Sequence, residues 1–66
     1  MNAQLVRIRL IEMGLLQKDL ARQAGIDYDR LQKVLHGYRR PRPLEIRAIA
    51  LILSLPEADL LPLTTD

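Results

Sequence analysis

Cysteine is absent from this chain of 66 residues, so no disulfide and no thiolate metal site can staple it. Phenylalanine and tryptophan are missing as well, which leaves a core to be closed with aliphatic side chains. A single histidine, His36, and a single serine, Ser54, give no means of assembling a nucleophile, a base and an orienting acid, and no Gly-rich phosphate loop is present. The sequence therefore predicts a protein that is not an enzyme, holds no cofactor and no metal, and has no evident small-molecule ligand. No apolar run approaches the roughly 18 residues of a membrane span, and the alternation of Arg7 and Arg9 with apolar neighbours does not resemble a signal peptide. No membrane partner is expected, and the lack of thiols fits a reducing, cytoplasmic setting.

What is present is an apolar set of Leu, Ile, Ala and Val within a hydrophobic fraction of 48%. Leu and Ala favour helices and no stretch alternates like a strand, so the expected class is all-α. The length fits one domain over residues 1–66, with a core at about 3–61 and a loose tail at 62–66. A chain this short buries a modest share of its surface, so stability must come from well-formed helices, close leucine packing or a second copy. Net charge is +2, but it is unevenly spread. Arg30 to Arg47 holds six basic residues and one acid, Glu45, whereas Ser54 to Asp66 holds three acids and no base. A basic middle suggests a polyanion-binding face, with a solvated basic loop as the alternative.

Along the chain, a first helix is expected from Ala3 to Met13, stopped by Gly14. Its apolar residues fall in two stripes, Val6–Leu10–Met13 and Leu5–Ile8–Ile11. A surface helix needs one stripe, so the second requires a cover from the C-terminal segment or another chain. A second helix is expected at about Leu16 to Gln23, with Leu16, Leu20 and Ala24 facing inward, and a third at Tyr28 to Leu35 behind an Asp27 N-cap. Leu31, Val34 and Leu35 form the inward stripe of the third helix. Pro41 and Pro43 make the following segment a loop. A fourth helix is expected at about Leu44 to Leu53, opening at Pro43, with Ile46, Ile49, Ala50 and Leu53 inward. A short fifth runs from Pro56 to Leu61, its acids Glu57 and Asp59 in the first turn.

Function is carried by Gln17 to His36. Two helices crossing steeply over a short turn need a small residue at the crossing, a positive φ at the corner and apolar glue between them. Ala21, Gly25 and the set Leu20, Ile26, Leu31 and Val34 meet these demands together. Met13-Gly-Leu-Leu-Gln-Lys-Asp-Leu-Ala, Gly25-Ile-Asp, Gly37-Tyr-Arg-Arg-Pro, and Ile49-Ala with Leu53 make the chain resemble the Cro and phage-repressor type of helix-turn-helix domain (lambda repressor-like, Xre family) over nearly its whole length.

The resemblance implies a compact five-helix domain that binds double-stranded DNA, with the third helix in the major groove. It assigns base contacts to Tyr28, Asp29, Arg30 and Lys33, with Gln32 nearby. Arg30 or Lys33 would donate to guanine, and Asp29 would accept from a cytosine amine. Gln17, Tyr38, Arg39, Arg40 and Arg42 would contact the DNA backbone. Relatives often cap the second helix with Thr or Ser, where this chain has Leu16, at a cost of about 1 kcal/mol unless burial offsets it. Relatives also often pair an Arg in the first helix with a Glu in the third. Leu10 and Leu35 stand at those positions here, and an apolar contact between them is expected.

Competing readings remain beside these. Asp27 is read as a cap, His36 as a helix C-terminal cap, and Arg22 and Arg47 as surface charges. Asp29 serves equally as a first-turn acid. Leu60, Leu61 and Leu63, with Leu5 and Ile8, either close the core or form a homodimer interface. The expected function is a bacterial or phage-encoded transcriptional regulator, a homodimer on a palindromic operator. The alternatives are a protein-interaction module docking through its first helix, or the DNA-reading subunit of a larger complex of antitoxin or restriction-controller type.

Overall fold

The computed structural model describes residues 1–61. Five helices follow in order, α1 Ala3–Met13, α2 Gln17–Ala24, α3 Tyr28–Leu35, α4 Pro43–Leu53 and α5 Glu57–Leu60, and no strand occurs among the described residues. The expected all-α class and the ranges of α1 and α3 match. α2 begins one residue later than expected, and α5 is a single turn with Pro56 at its N-cap.

The helix ends follow local chemistry. Asn2 Oδ1 accepts from the Leu5 N–H at 3.2 Å, an N-cap in addition to those expected. Gly14, at φ 69°, turns the chain out of α1 while its N–H donates back to the last carbonyls. Leu16 has no side-chain acceptor and is 59% exposed, so burial does not offset the missing cap, and the expectation that it faces inward fails. The Asp19 carboxylate instead accepts from the Leu16 N–H at 3.4 Å, half of a capping box. Asp27 occupies the N-cap of α3, but its side chain makes no capping bond and the residue is exposed. Pro43 opens α4 as its first residue, where a missing N–H costs nothing. Ser54 ends α4 in the left-handed region at φ 56°.

The helices close on a core of Val6, Leu10, Leu20, Ala21, Ile26, Leu31, Leu35, Ile46, Ile49, Ala50, Leu53 and Leu60. α4 packs against α1, α2 and α5, and so organises the fold from its centre. Leu10 and Leu35 both lie in this one cluster, and no ion pair is needed where relatives place one. Polar ties reinforce α1. Arg7 Nη2 donates to the Leu35 carbonyl at 3.1 Å and Arg9 Nε to the Leu53 carbonyl at 2.9 Å. Two arginines of α1 thus cap the C-terminal ends of α3 and α4, favourable for both the orphan carbonyls and the helix dipoles.

The C-terminal segment supplies part of the cover that α1 required. α5 contacts α1, and the Asn2 N–H donates to the Leu60 carbonyl at 2.8 Å. Leu60 is fully buried within the single chain, and Leu5 is half-buried against the same core. Ile8 and Leu61 do reach the surface, at 46% and 45% exposure. Leu63, also expected at an interface, lies outside the described residues.

Candidate nucleic-acid interface

The α2–α3 corner sets the geometry. Gly25 sits at φ 71°, and with no Cβ it takes this conformation freely. The next N–H, of Ile26, donates to the Ala21 carbonyl at 2.9 Å, which folds the chain back over α2. Ala21 is only 2% exposed and small enough for α3 to cross close by. Leu31, Val34 and Leu35 then face inward, and α3 presents its other side to solvent. An α-helix with its side chains is about 10–12 Å across, which matches the width of a B-form major groove.

On that outward side, Tyr28, Asp29 and Lys33 are exposed. Lys33 Nζ lies 3.3 Å from Asp29 Oδ2, one turn away, so the acid carries a partner cation and does not face the surface as a bare charge. Gln32 is half-buried, and its Nε2 donates to Gln17 Oε1. That bond ties the start of α2 to the middle of α3. Gln17 Nε2 makes no hydrogen bond among the described residues.

Arg30 is placed otherwise. Its guanidinium turns toward α4, with Nε 2.7 Å from Glu45 Oε2 and Nη2 2.8 Å from Glu45 Oε1. The Arg30 hydrogen bonds hold the Glu45 carboxyl below its usual range against the opposing effect of partial burial, with the Arg42 N–H and two nearby guanidinium charges assisting. Glu45 in turn raises the Arg30 guanidinium. The expectation of Arg30 as an outward base contact therefore meets a side chain already engaged. Glu45 stands out in the sequence as the lone acid of a basic stretch, but nothing in the spacing shows which cation it meets.

The segment after α3 is cationic and open. Tyr38, Arg39, Arg40 and Arg42 are all exposed. The Lys33 carbonyl accepts from both the Tyr38 and Arg39 N–H groups, at 2.8 and 3.3 Å, so the chain wraps the end of α3 before leaving it. His36 caps that end as expected. Its Nδ1 lies 2.7 Å from the Gln32 carbonyl, and its ring stacks against Tyr38 with centroids 6.3 Å apart. Gln17, the outer side of α3 and the arginine segment are thus linked through the Gln17–Gln32 bond and the Lys33 carbonyl. Arg22 and Arg47 are exposed and paired with Asp19 and Glu57, as surface charges should be.

No group of three or more potential metal ligands occurs among the described residues, and no described helix is long and apolar enough to cross a membrane. The family model described as helix-turn-helix matches residues 5–60, from the first turns of α1 to the end of α5. No curated protein and no solved structure matches the chain.

Proposed function

From the premise that the chain belongs to the helix-turn-helix family of Xre and lambda repressor-like DNA-binding domains, we propose a sequence-specific transcriptional regulator that reads double-stranded DNA through α3. The observation that carries this reading is the exposed face of Tyr28, Asp29 and Lys33 standing beside the open arginines 39, 40 and 42. Lys33 can donate to guanine O6 and N7, and Asp29 can accept from a cytosine amine while its charge stays offset by Lys33. Gln17, Tyr38 and the three arginines supply the phosphate contacts, which fix register and give salt-dependent affinity.

The regulator acts as a homodimer on a palindromic operator in a bacterial or phage setting, with half-sites about one helical turn (~34 Å) apart. One α3 covers few base pairs, and a second copy doubles the contacts. Exposed apolar side chains for such pairing remain at Ile8 and Ile11 of α1, Leu44 and Leu51 of α4, and Leu61.

Selection of bound duplexes from a random pool tests this directly. A palindromic consensus is expected, with affinity falling steeply as salt rises. The paired change Arg39→Ala and Arg40→Ala should flatten the salt dependence by about 0.9 for each phosphate no longer neutralised. Lys33→Ala should relax preference at one position of each half-site by about 1–3 kcal/mol. A pool that returns no enriched sequence and no salt-dependent retention refutes the proposal. A second reading, docking of α1 onto a partner protein, draws on Ile11, which stands 79% exposed on a helix with Ile8 beside it. That reading gains if duplex binding is absent.

A further inference from the structure

We propose that Arg30 and Glu45 are positioning residues for DNA binding: the pair holds the arginine segment in fixed register with the first turn of α3. This inference rests on the DNA-reading function proposed above and assigns Arg30 a role other than contact with a base.

At the Glu45 carboxylate α3 meets the N-cap and first turn of α4. Glu45 binds Arg30 through both oxygens, and its Oε1 also accepts from the Arg42 N–H at 2.7 Å. Arg30 Nη2 reaches further, to the Arg40 carbonyl at 3.3 Å. α3, the loop at Arg40 and Arg42, and the first turn of α4 are therefore joined by one guanidinium and one carboxylate. Between the Arg39 N–H and the start of α4, the loop's other residues include Pro41, which has no N–H to offer. The Arg42 carbonyl is held by the Glu45 and Ile46 N–H groups of α4, whereas the Arg40 carbonyl and the Arg42 N–H are tied through the Arg30–Glu45 unit.

The unit is built to hold a geometry. A two-pronged guanidinium–carboxylate pair fixes both partners in a plane, which a lysine could not do. Its side chains are 26% and 12% exposed, against 50% and 77% for the Lys33–Asp29 pair on the same helix. Drawing Arg30 away to a guanine would also leave Glu45 unpaired beside the phosphates that Arg40 and Arg42 approach. That repulsion opposes release, so Arg30 stays on Glu45 while Lys33 and Asp29 face the bases.

The decisive variant is Glu45→Gln, because simple electrostatics and the positioning role predict opposite signs. The substitution removes a negative charge, so a chain that binds only through net charge, or that gains a freed Arg30, should hold duplex more tightly. If the pair positions the loop, Glu45→Gln weakens binding about three- to tenfold. The salt slope then falls by about 0.9 for each loop arginine displaced. Base preference stays unchanged, and amide exchange at Arg39, Arg40 and Arg42 accelerates. Arg30→Met should give the same pattern, and the exchanged pair R30E/E45R should recover part of the affinity. The probe is the duplex selected by the wild-type chain, with helical content checked for each variant. Should Arg30→Met lose its helical signal, Glu45→Gln carries the comparison alone, since its amide oxygen can still accept from the Arg42 N–H. Tighter binding by Glu45→Gln, or loss of preference at a single base in Arg30→Met only, overturns the role and leaves the DNA-reading function standing. A wild-type chain that binds no duplex overturns both.

Discussion

Replacing Leu60 by Ala should destabilise the chain far more than replacing its neighbour Leu61. Leu60 is fully buried and Leu61 is 45% exposed, although the two are adjacent in a leucine-rich tail. Complete burial of a leucine contributes about 1.5–3 kcal/mol through transfer from water alone. The residual cavity raises the cost of truncation to about 2–5 kcal/mol. α5 is a single turn and can shift to fill part of the space, which favours the lower half of that range, about 3 kcal/mol. For a domain of this size that corresponds to a drop in Tm of about 12–24 °C. Total stability for such a length is itself only about 3–10 kcal/mol, so the loss removes about a third of it or more. Leu61→Ala should cost under about 1 kcal/mol. Urea unfolding at several protein concentrations is the assay. It also separates core from interface, since truncation at an interface would show a concentration-dependent midpoint. A Leu60→Ala loss below about 1 kcal/mol, or one that appears only at high concentration, would refute the placement of this side chain inside the single-chain core.

Two smaller effects follow from local geometry and charge. Ser54 is the one non-glycine residue at positive φ among the described residues, so Ser54→Gly should relieve left-handed strain by about 0.5–1 kcal/mol, net of the extra freedom glycine gives the unfolded chain. Thermal melting should show a modest rise in Tm, and a fall would contradict the strain. Glu45 titrates below its ordinary value of 4.5 in the folded chain, so its contribution is fully present above that pH and is lost as pH falls through the lowered folded value. Unfolding free energies measured from neutral pH down to about pH 3 should decline in that acid limb more steeply for the wild type than for Glu45→Gln, and equal slopes would dismiss the coupling.

Much of the fold was legible because it rests on short-range chemistry. Gly14 and Gly25 stop helices wherever a positive φ is needed, and the inward sets of α3 and α4 follow from helical spacing alone. Errors arose where a local rule met a tertiary outcome. Asp27 has the right residue type for a cap, yet its carboxylate makes no such bond. Leu16 has the right chemistry for burial, yet the entry to α2 leaves it in water. Leu5, Leu60 and Leu61 share one chemistry, and spacing could not say which of them α1 and α5 would enclose. Nothing in the spacing of Arg7 and Arg9 assigned them a partner, and only the approach of α3 and α4 turned them into caps.

The all-helical class, the position of the sharp corner and the cationic character of the segment beyond α3 are written in the residues themselves. Those properties depend on backbone preference, side-chain period and charge count, all of which act within a few residues. Tertiary structure alone decided which cations remain open and which are engaged. Arg39, Arg40 and Arg42 reach solvent, while Arg30 meets a carboxylate fifteen positions away. The physical reason is that a long guanidinium side chain is steered by whatever carboxylate the packed helices bring within reach, and that meeting is fixed by how α4 docks rather than by neighbours in the chain.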